Sequence, residues 1–256
     1  MILYFSGTGN TRHVVRLLSE ALGGESVCPM SAALLREPGA AVLEIPDGDS
    51  RLIWAFPTYS WGVPPVVLEL MKRCVLGPRA QAATHIMLTT CGDDMGRTDR
   101  QWRKALRKRG VHTAGAYAVI MPNTYVCMKG FDVDKPDVAA SKVERSASAV
   151  EAIARSIQCD GGDILVPGKF PAIKTDIVYP WFRRYAMSPK PFSSNEGCIA
   201  CGKCADSCPM QNITMQHGRP VWGDKCAMCL RCYHICPRRA VTYGKATEGK
   251  GQQLLS

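Results

Sequence analysis

The sequence predicts an α/β protein: an open parallel sheet wound on both faces, followed by a smaller cysteine-dense domain. Three observations carry this. Short apolar runs alternate with amphipathic helical stretches over the first 158 residues. Past Gln158 the composition shifts to glycine and proline. From Cys198 one cysteine spacing occurs twice.

Strands are expected at Ile2–Phe5, Leu52–Phe56, His85–Thr89 and Tyr117–Met121, all short apolar runs suited to burial on both faces, with a weaker one at Ser26–Cys28. Helices are expected at Thr11–Leu22, Pro65–Lys72, Thr98–Lys108 and Pro136–Gln158. The last carries an apolar stripe at Val143, Ala147, Val150, Ala154 and Ile157, and its proline stands in the first turn. Five strands with crossover helices give a doubly wound parallel sheet over residues 1–158. Residues 159–192 read as a linker with one short amphipathic helix, on which Ile177, Val178, Trp181, Phe182 and Tyr185 share a side. Packing between two domains is the preferred reading of that side, over contact with a membrane surface. Residues 193–245 form the second domain and 246–256 a tail.

The chain has 256 residues, 46% of them hydrophobic, enough for one ordinary domain and a smaller one. No apolar run is long enough to span a bilayer, and the first strand starts at residue 2, leaving no room for a leader. A soluble, cytoplasmic protein is the expectation. The formal charge of +10 points to nucleic acid or an acidic protein partner. The basic residues gather at Arg97 to Arg109, Arg183-Arg184 and Arg238-Arg239, without the interleaved aromatics of a nucleic-acid module, so the protein partner is preferred.

The run MILYFSGTGNTRHVV is a strand, a glycine-rich turn and a helix start, which together make an anion site. It lacks the lysine of a Walker loop, and Arg12 stands where a dinucleotide fingerprint needs a small residue. A loop of hydroxyls and amides without a cation suits a terminal phosphate held by neutral hydrogen bonds.

The repeat reads Cys198-Ile-Ala-Cys201-Gly-Lys-Cys204-Ala-Asp-Ser-Cys208-Pro209, then Cys226-Ala-Met-Cys229-Leu-Arg-Cys232-Tyr-His-Ile-Cys236-Pro237. Structural zinc uses paired cysteine knuckles, not three cysteines at equal spacing and a fourth before proline. Three close thiolates fit three corners of one iron–sulfur cube, and the fourth reaches the other cube. Two [4Fe–4S] clusters are expected.

This region, about residues 190–245, resembles the bacterial two-cluster ferredoxins, which are small α+β domains. The resemblance implies one cluster on Cys198, Cys201, Cys204 and Cys236, and the other on Cys226, Cys229, Cys232 and Cys208, with His217-Gly218-Arg219-Pro220 as a hairpin turn between the repeats. The first 158 residues resemble flavodoxins in three loops at strand ends: Ser6 to Thr11, Pro57 to Gly62, and Thr90 to Asp94. That implies strand order 2-1-3-4-5 and an FMN site. Ser6, Thr8, Gly9, Asn10 and Thr11 would hold its phosphate; Thr58, Tyr59, Ser60, Trp61 and Gly62 would supply an aromatic face; Thr90, Cys91 and Gly92 would meet the ring edge. The whole chain resembles flavodoxin–ferredoxin fusion proteins. Unlike small flavodoxins it has no aromatic in the third loop, which leaves the second ring face bare or covered by Tyr125 or the ferredoxin domain, and it is basic where they are acidic.

Trp61 is read as stacking on the flavin rather than filling core, and Gly62 as a simple turn or as a peptide that flips toward flavin N5. Cys91 is read as a small loop residue rather than a redox thiol, with no His or Lys beside it in sequence. Cys28, Cys74, Cys127 and Cys159 are incidental thiols, His13 is solvated, and His234 tunes a cluster's surroundings without ligating iron. The cationic run at 97–109 is a solvated face. The resemblance implies an electron-transfer protein relaying between FMN and the clusters in an anaerobic setting, with a redox partner protein, for which the basic charge makes an acidic one the candidate. The alternative is a flavin-dependent reductase of a small organic substrate, with the clusters as electron entry.

Overall fold

The computed structural model describes residues 1–40 and 42–255. Its first part is built on five parallel strands, β1 (Ile2–Tyr4), β2 (Val27–Pro29), β3 (Arg51–Pro57), β4 (Thr84–Cys91) and β5 (His112–Ile120), hydrogen-bonded in the order β2-β1-β3-β4-β5. Four longer helices connect or follow them: α1 (Asn10–Ala21), α2 (Pro65–Arg73), α3 (Thr98–Arg107) and α4 (Pro136–Gln158). Successive strand residues face opposite ways, and the apolar ones divide accordingly. Ile2, Ile53, Ala55, Ile86, Leu88, Tyr117 and Val119 pack with Val14, Val15 and Leu18 of α1 and Val150, Ile153 and Ile157 of α4. Leu3, Phe5, Trp54, Phe56 and Met87 pack on the other face with Val67, Leu70 and Met71 of α2 and Trp102 and Leu106 of α3. The sheet is therefore wound on both sides. His13, expected in solvent, is half-buried on α1, its Nε2 3.3 Å from Ser146 Oγ of α4.

β5 begins five residues before the apolar run that predicts it. Its first residues are small or polar, and backbone pairing rather than burial makes them strand: Thr84 pairs with His112 and His85 with Thr113, ahead of a bulge between His85 and Met87. The outer edge of β5 is covered by the connector, where Ala118 N–H donates to Ile164 O (2.9 Å) and Ile164 N–H to Ala116 O (3.0 Å). Met95 N–H also donates to Val166 O at 2.8 Å. The connector is thus part of the first layer, not a free spacer.

Its helix spans a first turn at Pro171–Ile173, a π-helical turn at Lys174–Val178 and α5 (Tyr179–Tyr185). The wide turn changes the phase of the apolar pattern. The set expected on one side splits: Phe182 is buried with Thr175 and Tyr179, while Ile177, Trp181 and Tyr185 point to solvent.

The second part holds two antiparallel pairs, β6 (Phe192–Ser194) with β9 (Val241–Tyr243) and β7 (Ile213–Gln216) with β8 (Arg219–Trp222), and two short helices, Lys203–Asp206 and Arg231–His234. The β7–β8 loop is His217-Gly218, both left-handed at φ 48° and 74°, as a two-residue hairpin turn of matching twist requires. Val126 and Cys127, from the segment after β5, pack into this part's core with Phe192, Met228, Leu230 and Tyr233. The second core therefore borrows side chains from the first half of the chain.

His85 is fully buried in β4, accepting from Trp54 Nε1 at Nδ1 (3.0 Å) and donating from Nε2 to Ala80 O (2.8 Å). Burial lowers its pKa from the ordinary 6.5, against the Ala80 hydrogen bond, and His112 adds to the depression. The folded state thus binds fewer protons than the unfolded chain. That stability is present above 6.5 and is lost as pH falls through the window below it. His85→Gln keeps an acceptor for Trp54 and a donor for Ala80. It should flatten the fall in melting temperature between neutral and mildly acidic pH. An unchanged pH slope would assign the acid sensitivity to other groups.

Candidate cofactor cavity and cysteine rings

The carboxyl ends of β1, β3 and β4 open into a cavity of about 230 Å³. Ser6, Gly7, Thr8, Asn10 and Thr11 line it from the first loop; Thr58, Tyr59, Ser60 and Trp61 from the second; Thr90, Cys91, Gly92, Asp93 and Asp94 from the third. Gly9 and Gly62 are not among its walls. Gly9 caps α1 in the left-handed conformation, φ 97°, and a Cβ there would lie 1.7 Å from Leu255 O. A Cβ on Gly62 would meet the Tyr179 ring at 2.4 Å, so that glycine permits helix packing behind the loop.

Side-chain hydroxyls knit the floor: Thr11 Oγ1 bonds Thr90 Oγ1 and Thr58 Oγ1 bonds Thr89 Oγ1, each at 2.9 Å. Asn10 Nδ2 donates to Pro122 O at 2.8 Å, which leaves its Oδ1 buried without a partner. The hydroxyls of Tyr59 and Tyr125, also cavity residues, are likewise buried and unpartnered. Unsatisfied buried polar atoms cost about 1–3 kcal/mol each, and three on one cavity fit a bound polar ligand. Tyr59 and Gly62 exchange backbone hydrogen bonds of 2.9 and 3.0 Å around Ser60 (φ 43°) and Trp61 (φ 64°). Two consecutive non-glycine residues in the left-handed region form a strained turn. It presents Trp61 at the cavity, with Lys174 Nζ 5.0 Å from its ring and Thr175 Oγ1 donating to its carbonyl. Lys174 also donates to Asp94 at 2.5 Å, and Lys142 lies 3.7 Å from Asp93. Burial, helped by Asp94 and Asp93, pushes the Cys91 thiol up to about 12, so it stays protonated and unreactive.

The eight repeat cysteines surround two smaller cavities. Cys208, Cys226, Cys229 and Cys232 line one; Cys198, Cys201, Cys204 and Cys236 line the other. In each set the fourth cysteine comes from the opposite repeat. The sulfurs ring a space instead of meeting at a point: among the described residues no three His, Cys, Asp or Glu side chains are close enough to hold a single ion. Such an arrangement fits a cluster better than one tetrahedral metal. The repeats share their backbone as well. Ala200 and Met228, Gly202 and Leu230, and Gln211 and Arg239 are left-handed in matching positions. Asn212 N–H donates to Cys208 Sγ (3.4 Å) and Ala240 N–H to Cys236 Sγ (3.2 Å), again in matching positions.

Sequence reasoning allowed for Tyr125 or the second domain beside the cavity, and both line it; the contacts that join the two sites were not foreseen. Met228, Cys229 and Leu230 form a wall of the large cavity, so Cys229 lines both it and a cysteine ring. Arg231 donates to Gly7 O at 2.9 Å. His234, expected to tune a cluster, is a buried bridge: its Nε2 donates to Thr124 O (2.8 Å) and its Nδ1 accepts from Gln253 N–H (3.1 Å). The tail completes the clamp. Leu255 N–H donates to Thr8 O (2.9 Å), Gln252 Nε2 to Tyr233 O (2.6 Å) and Lys250 Nζ to Val126 O (2.7 Å). Tyr125, Met128, Phe131 and Phe182 close the remaining side of the cavity.

Strand order, winding on both faces and a cavity at the carboxyl edge beside the switch point define a flavodoxin-like fold. Residues 190–237 match the family model of the 4Fe-4S dicluster domain. The chain thus joins a flavodoxin-like fold, read from its own strand order, to a segment that matches the 4Fe-4S dicluster model. Similar solved structures include the flavodoxin of Streptococcus pneumoniae TIGR4, 14% identical over 59% of this chain and 97% of that one, TM-score 0.33. The Megasphaera elsdenii flavodoxin is 18% identical over 59% and 97%, TM-score 0.34. The Trp repressor binding protein of Bacillus subtilis is 14% identical over 59% and 96%, TM-score 0.37. No curated protein sequence matches the chain.

Gly7→Ala tests the junction. Its Cβ would stand 2.5 Å from Cys229 O and 2.7 Å from Cys229 Cβ, with no left-handed backbone to confuse the result. It should destabilise the full chain by about 1–3 kcal/mol in chemical unfolding. Gly162→Ala, which faces open space, should change little. Equal stability of the two variants would remove the contact.

Proposed function

We propose that the chain relays electrons between FMN in the large cavity and two [4Fe–4S] clusters in the cysteine rings, coupling one-electron carriers to two-electron chemistry. FMN exchanges one or two electrons and each cluster one, so the two kinds of group interconvert these currencies. Ser6, Thr8, Asn10 and Thr11 would hold the phosphate with hydroxyls and amides, assisted by the N-terminus of α1. Trp61 and Tyr59 would flank the ring, and Thr90, Cys91 and Gly92 would meet its edge. The observation that carries this reading is the position of Cys229, which lines both the large cavity and the ring of Cys208, Cys226 and Cys232. That ring is the inner one. The ring of Cys198, Cys204 and Cys236 is the outer one, its Cys201 exposed and its rim carrying exposed Lys203 and Arg238. An acidic one-electron carrier docking at that rim is the partner this arrangement favours.

Two measurements test the reading. Thr11→Val keeps the shape of a buried side chain but removes a hydroxyl from the phosphate loop. It should weaken FMN binding by about 1.5–3 kcal/mol and leave iron and sulfide content unchanged; unchanged FMN affinity would take the loop out of the site. In rapid mixing, Cys201→Ala should slow flavin reduction by a ferredoxin-type donor while dithionite still reduces the flavin. The wild-type rate with that donor should fall with added salt. Undiminished exchange in Cys201→Ala would sink the relay. Turnover of a small organic substrate at the flavin in both forms would favour the reductase alternative.

A further inference from the structure

The helix at residues 171–185, with Phe170 before it, carries an apolar row that nothing covers. Phe170, Ile173, Ile177, Trp181 and Tyr185 are 71%, 52%, 65%, 51% and 66% exposed. Single exposed hydrophobics are ordinary, but here five stand in one line within sixteen residues. The spacing is three, then four, four and four. In a regular α-helix a strict four-residue repeat drifts around the axis. The π-helical turn, closed by Tyr179 N–H donating to Lys174 O, winds more slowly and keeps the row straight. Thr175, Tyr179 and Phe182 pin the opposite side to the body. The row is therefore a fixed, convex ridge.

Charge says what the ridge meets. Residues 169–190 hold five cations, Lys169, Lys174, Arg183, Arg184 and Lys190, and one acid, Asp176. Lys174 is tied to Asp94, and Asp176 to Arg97 at 3.5 Å. Lys169, Arg183, Arg184 and Lys190 are exposed and have no ion-pair partner among the described residues. A row of Phe, Ile, Trp and Tyr flanked by free arginine and lysine is the composition of a helix lying in a lipid interface, with the rings at headgroup depth and the cations on anionic phosphates. Among the described residues no helix is long and apolar enough to cross a membrane. We propose that this ridge seats the protein on the surface of an anionic bilayer, without crossing it. Since Thr175 holds the Trp61 carbonyl, seating would bring the aromatic wall of the cofactor cavity beside the lipid.

The test uses the full-length protein with vesicles of phosphatidylcholine, with and without phosphatidylglycerol. Cosedimentation should occur with the anionic vesicles and weaken with salt. The fluorescence of exposed Trp181 should shift to the blue on binding. Ile177→Ser with Trp181→Ser should reduce vesicle binding roughly tenfold or more, and Arg183→Gln with Arg184→Gln should reduce it on anionic vesicles. Flavin and iron content should not change in either, since these side chains line neither cavity nor ring. No binding by the wild type at low salt would overturn the proposal. Full binding by the Ile177/Trp181 variant would do the same. So would a wild-type dimer that this variant disperses, which would assign the ridge to a second copy of the chain.

Discussion

Residue 7 has no side chain, and the backbone of Cys229 fills the space where one would stand. The phosphate-type loop and the second cysteine repeat therefore touch main chain to main chain. Arg231, two residues along the repeat, fastens the contact by donating to the Gly7 carbonyl. The wall of the large cavity follows from this contact, because Met228, Cys229 and Leu230 reach it only when the two loops are pressed together. So does the route of the tail, which passes between the two parts, bonds Tyr233 and Cys236 through Gln252, and ends on Thr8. His234 joins the same seam with neutral chemistry. Burial lowers its pKa to about 4, and one ring nitrogen accepts while the other donates, so both bonds hold without a charge to desolvate.

Two repeats of nearly identical backbone end in unlike surroundings. Each places non-glycine or glycine residues in the left-handed region at the same three positions, which makes room for closely spaced cysteines. Yet Cys229 lies against Tyr59 and the large cavity, and burial pushes its thiol up to about 12, while Cys201 faces solvent. Solvent exposure and hydrogen bonds to sulfur set cluster potential. The asymmetry therefore comes from docking one repeat on the first part, not from the repeats themselves. Without that docking the two rings would be near-equivalent.

The sheet was readable because its central strands are buried on both faces and carry continuous apolar runs; Leu52–Phe56 and His85–Thr89 fall inside β3 and β4. The early half of β5 was not, since His112 to Gly115 are strand through backbone pairing, which leaves little trace in side-chain pattern. The two sets of four cysteines were expected from the repeated spacing together with the resemblance to two-cluster ferredoxins, and the cavity loops from the glycine-rich first turn together with the resemblance to flavodoxins. The tail was invisible: Gln252, Gln253 and Leu255 act through backbone or amide groups that any sequence could supply. The connector helix was misread for a different reason. Trp181 and Phe182 are neighbours on α5 and stand about 100° apart, so a grouping that put both on one side ran across the boundary between the helix's exposed and buried faces.

A net +10 suggests a general affinity for acidic partners, but part of the positive charge is engaged within the fold. Arg79, Arg103, Arg109, Arg219 and Arg231 all donate to backbone carbonyls, where the guanidinium fork ties loops to their neighbours. The run at 97–109 is thereby partly structural: Arg103 also pairs with Asp163 and Arg97 with Asp176. Among the exposed cations, those near the outer cysteine ring and those along the connector helix flank different features. At the ring, Lys203 and Arg238 border an exposed cysteine. On the helix, Arg183 and Arg184 border a straight row of exposed aromatic and aliphatic side chains. A charged rim around an exposed cysteine ring suits brief, steered encounters, whereas cations beside an apolar ridge add to burial of that ridge. On these physical grounds the two patches suit different kinds of partner.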